Sequence, residues 1–360
     1  MDADLRSTRR VQPRWRRWLP WIGLFVLAWI LSRMDGAAMR HALGSVSAGA
    51  LLMAAAAFSA NLFLKAWRWQ RLLQAQRIEL PLRVSLAAFL SGQFYAQVTL
   101  GRLGEFFRIE ALLERGVSAG KALASCVFDR LLDVFIVFGL GAVFATRVLA
   151  DRALAWLALA LLLAGAVALG LLLRFAVPLQ PGAAPNGLQR WLGRLEEWSR
   201  REAPATDNHR KDRALQARAF RRVIGRLVHS GRELLSGMLP MLRGRVLAEA
   251  LFWSAVSWFG YFEALFQLAD GLSLGVSRVL LTATAAFAAL TALLPVTVSG
   301  LGARELIYIQ VLERHGVANE TAVVLSLLHL FTMSVCATGF GFLGVLWRQR
   351  QRDLELRARS

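Results

Sequence analysis

A stretch of the chain recurs, altered, 200 positions further on. Residues 98–117 read VTLGRLGEFFRIEALLERGV, and residues 298–317 read VSGLGARELIYIQVLERHGV. Both carry Leu-Gly, then a Glu, a helical apolar run, Glu-Arg and Gly-Val. At that offset Glu105 falls on Glu305, Leu112 on Leu312, Gly116 on Gly316 and Ala122 on Ala322. Each copy follows one apolar stretch and precedes another. Charged, glycine-broken segments between hydrophobic runs are foreign to a plain bundle of spanning helices. They fit paired re-entrant elements, because irregular backbone at membrane depth is tolerated where it is buried in protein or lines a wet cavity.

The surroundings of the two copies agree. The chain is 56% hydrophobic over 360 residues, with 12 Trp and a mean hydropathy of +0.46. That is too apolar for a soluble chain of this length and fits an all-α polytopic membrane protein. The net charge of +19 does not point to nucleic acid. The arginines sit in segments between apolar runs, where they signal cytoplasmic loops and affinity for anionic headgroups. Arg6, Arg9, Arg10, Arg14, Arg16 and Arg17 mark residues 1–17 as cytoplasmic, and Arg348 to Arg359 do the same for a tail at 348–360. The region 18–347 is then the membrane domain. The first apolar run, 18–34, lacks a small-residue cleavage site and reads as an uncleaved span. Cys126 and Cys336 lie within apolar runs, which argues against a disulfide or a metal site.

Parity fixes the arrangement. Apolar candidates lie at 18–34, 43–64, 84–100, 121–146 and 153–177, before an arginine-rich loop at 178–245. Two cytoplasmic ends require an even number of crossings, so one candidate does not cross. The run 84–100 is the weakest, at the lower length limit for spanning about 30 Å. After the loop, 246–268, 276–298 and 321–347 again exceed parity by one, and 276–298 is interrupted by Pro295. The expectation is about six spans plus two re-entrant helical hairpins. They form an inverted repeat, A at about 43–146 and B at about 246–347, linked by a span at 153–177. Opposed repeats with broken helices near the midplane are a recurring transporter plan.

The candidate functional residues lie where charge enters apolar runs. Glu105 and Glu305 follow glycine turns, Gly104 in the first copy and Gly300 and Gly302 in the second. Each glutamate is either a helix-start acid facing the dipole or an intramembrane carboxylate that carries a proton or grips a cationic headgroup; its presence in both copies favours the second. Arg102, Arg108 and Arg304 sit beside the same helix starts and suit bidentate contact with a lipid phosphate, or else snorkel to the interface. Asp129, Arg130 and Asp133 fall on about one turn of a span. Arg130 satisfies one acid, so the other should reach an arginine in 102–108. His329 stands 200 positions after Asp129, as a packing residue or a proton relay. Asn61 and Arg68, near the end of the second span, either line the same cavity or anchor it. The segment 65–71 reads as basic and cytoplasmic, with interfacial tryptophans. No phosphate loop, HExxH or GxSxG occurs, so neither enzyme activity nor a cofactor is expected.

The stretch 94–133, with GRLGEFFR, LLERGVSAGKALAS and DRLLD, resembles the membrane region of lysylphosphatidylglycerol synthases and the free-standing flippase-like UPF0104 proteins. LPVTVSGLGARE at 294–305 with the following ERHGV, and LKAWRWQRLL at 64–73, are similar to further motifs of that family. The resemblance covers about 20–347. It implies a bacterial inner-membrane protein that moves a lipid between leaflets, without the synthases' soluble aminoacyl-transferase domain. It implies Arg102, Glu105, Arg108, Arg130, Asp133, Arg304 and Glu305 as motif positions. The partner expected is an anionic or lipid-linked membrane lipid, with no nucleic acid. The runner-up is an accessory protein that binds anionic lipid and scaffolds an envelope-lipid biosynthesis enzyme. The sequence leaves the headgroup, direction, driving ion and oligomeric state open.

Overall fold

The computed structural model describes residues 19–148, 230–291 and 300–359. Pro295, the linking run 153–177 and most of the loop 178–245 lie outside them. Among the described residues every element is helical. α1 (Leu19–Ser32) and α2 (Gly36–Ser45) precede α3 (Ala48–Ala75) and α4 (Leu82–Val98). A 3-10 helix (Leu100–Ile109) runs into the short α5 (Glu110–Leu113), and α6 (Ala119–Val148) follows. After residue 230 come α7 (Gly244–Gly271), α8 (Arg278–Thr291), α9 (Ala303–Glu313) and α10 (Asn319–Arg359).

The order long helix, short helix, motif, long helix therefore occurs twice, and the chain reversals match in detail. After α3, Arg77 takes φ 59°, Ile78 N–H donates to Leu73 O and Arg77 N–H to Gln74 O. After α7, Ser273 takes φ 54°, Leu274 N–H donates to Ala269 O and Ser273 N–H to Asp270 O. The motifs end in the same kind of Schellman cap. Gly116 (φ 76°) and Gly316 (φ 82°) precede Val117 and Val317, whose N–H groups reach Leu112 O and Leu312 O.

Packing interleaves the two units. α3 and α7 run antiparallel: Ala50 faces Gly271, Ala57 and Asn61 face Gly260, and Arg71 meets Glu249. Asn61 Nδ2 donates to Ser257 O at 2.6 Å. α4 lies on α10, where a Cβ on Gly341 would stand 2.7 Å from the Phe94 Cβ and one on Gly344 2.8 Å from Ala87 O. The counterpart contact joins α8 to α6, with Gly141 against Ala286. Within the first unit, the 3-10 helix returns along α4 so closely that a Cβ on Gly104 would strike the Tyr95 backbone. A shared core includes Trp69, Phe89 and Leu112 from one unit and Trp258, Leu281, Tyr308 and Leu325 from the other. Large apolar side chains also point outward, among them Leu52, Phe252, Phe259, Phe331 and Leu343. Such surfaces are stable against lipid rather than water. By length and composition, α3 and residues 319–354 of α10 can cross a membrane.

Three boundaries differ from the sequence expectation. The second span does not end at 64: α3 continues to Ala75, because Lys65 and Arg68 find buried partners and Trp69 is fully buried rather than interfacial. The first motif is 3-10 rather than α-helical up to Ile109, its glycines permitting the close return along α4. Residues 348–359, expected as a tail after the last span, are helical. They extend α10, and Arg348 pairs with Glu110 at 3.2 Å and Glu114 at 3.4 Å, while Arg352 pairs with Glu110 at 3.0 Å and with Glu114.

Candidate functional site: a charged cavity between the two units

The centre of the molecule holds an ion network built from α3, the first motif and α6. Arg68, 0% exposed, sends Nε and Nη2 to Asp129 Oδ1 at 2.9 and 2.6 Å. Its Nη1 reaches Asp133 Oδ1 at 2.8 Å and Ser254 Oγ at 2.6 Å. Arg108 donates to the other Asp129 oxygen at 2.8 Å and to Cys126 Sγ at 3.1 Å, flanked by the rings of Trp69 and Phe89. The pair between Asp129 and an arginine of 102–108 is thus formed. Asp133 also takes Lys65 Nζ at 3.0 Å and Trp258 Nε1 at 3.2 Å, and lies 3.9 Å from Arg130. Glu105 binds Arg102 Nε at 2.7 Å and pairs with Arg130. Arg102 in turn donates to Gln93 at 2.8 Å. Charges this deeply buried persist only when each is paired and hydrogen-bonded.

The second unit places an arginine against the equivalent positions. Arg304 Nε donates to Ser326 Oγ at 3.1 Å and Nη2 lies 2.9 Å from His329 Nδ1. Cys126 and Asp129, which receive Arg108, are the residues 200 positions earlier. The arginine arrives from one turn further along the motif in the first unit. With Arg304 donating to Nδ1, His329 carries its proton on Nε2. Tyr308 Oη lies 3.3 Å from the same nitrogen, and Tyr261 packs on the imidazole at 4.8 Å between ring centres. Glu305 is the helix-start acid: its Oε2 accepts from Gly302 N–H at 2.6 Å and its Oε1 from Ser326 Oγ at 3.0 Å. Gly300 and Gly302 supply the positive φ values, 82° and 83°, that turn the chain into α9.

Beside this network lies a cavity of about 110 Å³. Among the described residues its walls carry Lys65, Arg102, Arg130 and Arg304, with Asp133 as the one carboxylate. Asn61, Gln93, Gln97 and Ser334 add neutral polar groups; Phe58, Leu62, Trp258 and Tyr261 add apolar surface. Of the sequence candidates, Asn61, Arg102, Arg130, Asp133 and Arg304 line it. Arg68, Glu105, Arg108, Asp129, Glu305 and His329 stand behind and hold the lining in place, and Gly104, Gly300 and Gly302 shape the motif backbones. Lys65, Trp258 and Tyr261 were not singled out from the sequence, nor were Gln93 and Gln97 as site residues. Gln93 and Gln97, polar groups four apart in a short apolar run, were the signal available for that wall.

Positive groups converge on a partly apolar chamber, an arrangement chemically suited to an anionic group attached to an apolar body. No curated protein matches the chain. The sequence pattern of one family, described as the lysylphosphatidylglycerol synthase TM region, matches residues 20–341. Both motifs, the cavity walls and nearly all of both units fall within that match, and the chain belongs to this membrane-protein family.

Proposed function

We propose that the protein is a flippase-like translocase of the bacterial inner membrane that carries an anionic or lipid-linked molecule between leaflets. The cavity carries the reading: four cationic side chains and one carboxylate, drawn from both units, facing a chamber with apolar walls. A phosphate headgroup offers further oxygens to Arg102 and Arg130, which share the one Glu105 carboxylate, and the apolar wall suits the start of an acyl chain. The antiparallel crossing of α3 on α7, and the paired contacts of α4 on α10 and α8 on α6, support an inverted repeat. In this reading the α4 and α8 hairpins are re-entrant, about six helices span, and both termini are cytoplasmic. Movement of one unit against the other would open the cavity to each leaflet in turn.

The test is reconstitution into vesicles of phosphatidylethanolamine and phosphatidylglycerol, with a fluorescent phosphatidylglycerol read by a membrane-impermeant quencher. The protein should speed leaflet exchange, and Arg102→Ala with Arg304→Ala should abolish the gain while the protein still inserts. Exchange no faster than in protein-free vesicles overturns translocation and leaves the scaffolding role.

A further inference from the structure

We infer that Lys65 is the residue that sets headgroup specificity, by filling with the protein's own ammonium a cation subsite in the cavity wall. The inference rests on the reading of the cavity as a lipid-headgroup site. The subsite has two parts. The face of Trp258 lies 4.4 Å from Lys65 Nζ, and Asp133 Oδ2 lies 3.0 Å from it. An aromatic face beside a carboxylate is the chemistry that recognises an ammonium group. Asp133 does not depend on Lys65 for its position: Arg68 and Trp258 Nε1 hold its other oxygen at 2.8 and 3.2 Å. Lys65, Trp258 and Asp133 all line the cavity that Arg102, Arg130 and Arg304 enter.

A tethered ammonium competes at high effective concentration with any ammonium that arrives on a ligand. The native site therefore has its cation subsite already occupied, yet lets a phosphate compete with the single Glu105 carboxylate for Arg102 and Arg130. It selects headgroups that are anionic overall and excludes those in which an amine neutralises the phosphate. Without Lys65, the Trp258–Asp133 pair becomes an open ammonium subsite close to the arginines, suited to a zwitterionic headgroup. Arginine in its place keeps the positive charge and the block.

The experiment compares short-chain phosphatidylglycerol and phosphatidylethanolamine, each titrated into purified protein in detergent and read by thermal shift. Native protein should respond to phosphatidylglycerol at concentrations about tenfold lower than to phosphatidylethanolamine, the weight of one desolvated ammonium contact. Lys65→Met should remove or reverse that order, and Lys65→Arg should restore it. Equal response of native protein to both lipids overturns the inference without any variant, which covers the case of Lys65→Met failing to fold. A Lys65→Met protein that folds and keeps the native order also overturns it. Native protein that responds to neither lipid instead defeats the headgroup reading of the cavity.

Discussion

Asp129 takes an arginine on each of its oxygens, Arg68 on one and Arg108 on the other. Its neutralisation would strand the Arg108 guanidinium in the core and leave Arg68 with the Asp133 carboxylate alone. Breaking a buried ion pair from one side costs about 3–5 kcal/mol, so Asp129→Asn should lose about that much stability in denaturant titration in detergent. Arg102→Ala should lose far less, because the Arg102 side chain is 26% exposed and Arg130 also pairs with Glu105. Equal stability of Asp129→Asn and native protein would show the network to be peripheral. The pairing of Asp129 with a motif arginine was legible in the sequence, since two acids and one base on a single turn demand an outside partner. The placement of Lys65 and Arg68 was not. Hydropathy ends a span at the first charge, whereas here the cost of each charge is offset by aspartates more than sixty residues further along the chain. Trp258 and Tyr261 gave no signal, because an aromatic ring in an apolar run looks the same facing lipid, core or cavity.

The first motif shows how an element departs from its sequence pattern. Its spacing suits an α-helix, yet Leu100–Ile109 winds as 3-10. Gly104 leaves room for the Tyr95 backbone, and Gly92 lets Glu105 O approach to where a Cβ would meet it at 2.9 Å. Gly116 differs: a Cβ there meets nothing, and only its φ of 76° disfavours other residues. Gly104→Ala should therefore cost the overpacking of backbone on backbone, about 1–3 kcal/mol or more. Gly116→Ala should cost about 1–2 kcal/mol of left-handed strain. Denaturant midpoints of the two variants check the order; the reverse order would contradict the close return along α4. The existence of both motif elements could be read from the recurring Glu-Arg and Gly-Val. Their winding could not, because it is set by contact with α4 rather than by local preference. The extension of α10 past Trp347 was hidden likewise, as its arginines look like a cytoplasmic tail until Glu110 and Glu114 stand opposite them.

At the scale of the molecule, the repeat predicts which face each turn occupies. Single cysteines at Gly116 and Gly316, in a background with Cys126 and Cys336 replaced by serine, should react with an impermeant maleimide from opposite sides of the membrane. Reaction from one side only would remove the inverted arrangement. The duplication was legible because glycine and glutamate recur at fixed spacing in a chain where alanine and leucine carry no information. A full list of spans is harder to read. α7 buries Ser254 against Arg68 and turns Trp258 to the cavity, yet it carries Arg245, Glu249, Glu263 and Asp270, so composition alone understates it.

The cross-packing of short helices has a consequence for how such a chain is made. α4 rests on α10 and α8 on α6, so the hairpin of each half is shelved on the closing helix of the other. Neither half encloses its own motif. During synthesis the first hairpin waits, its landing surface untranslated, until some two hundred further residues have left the ribosome. The cavity is lined from both halves, so it too is complete only when the last helix has been made.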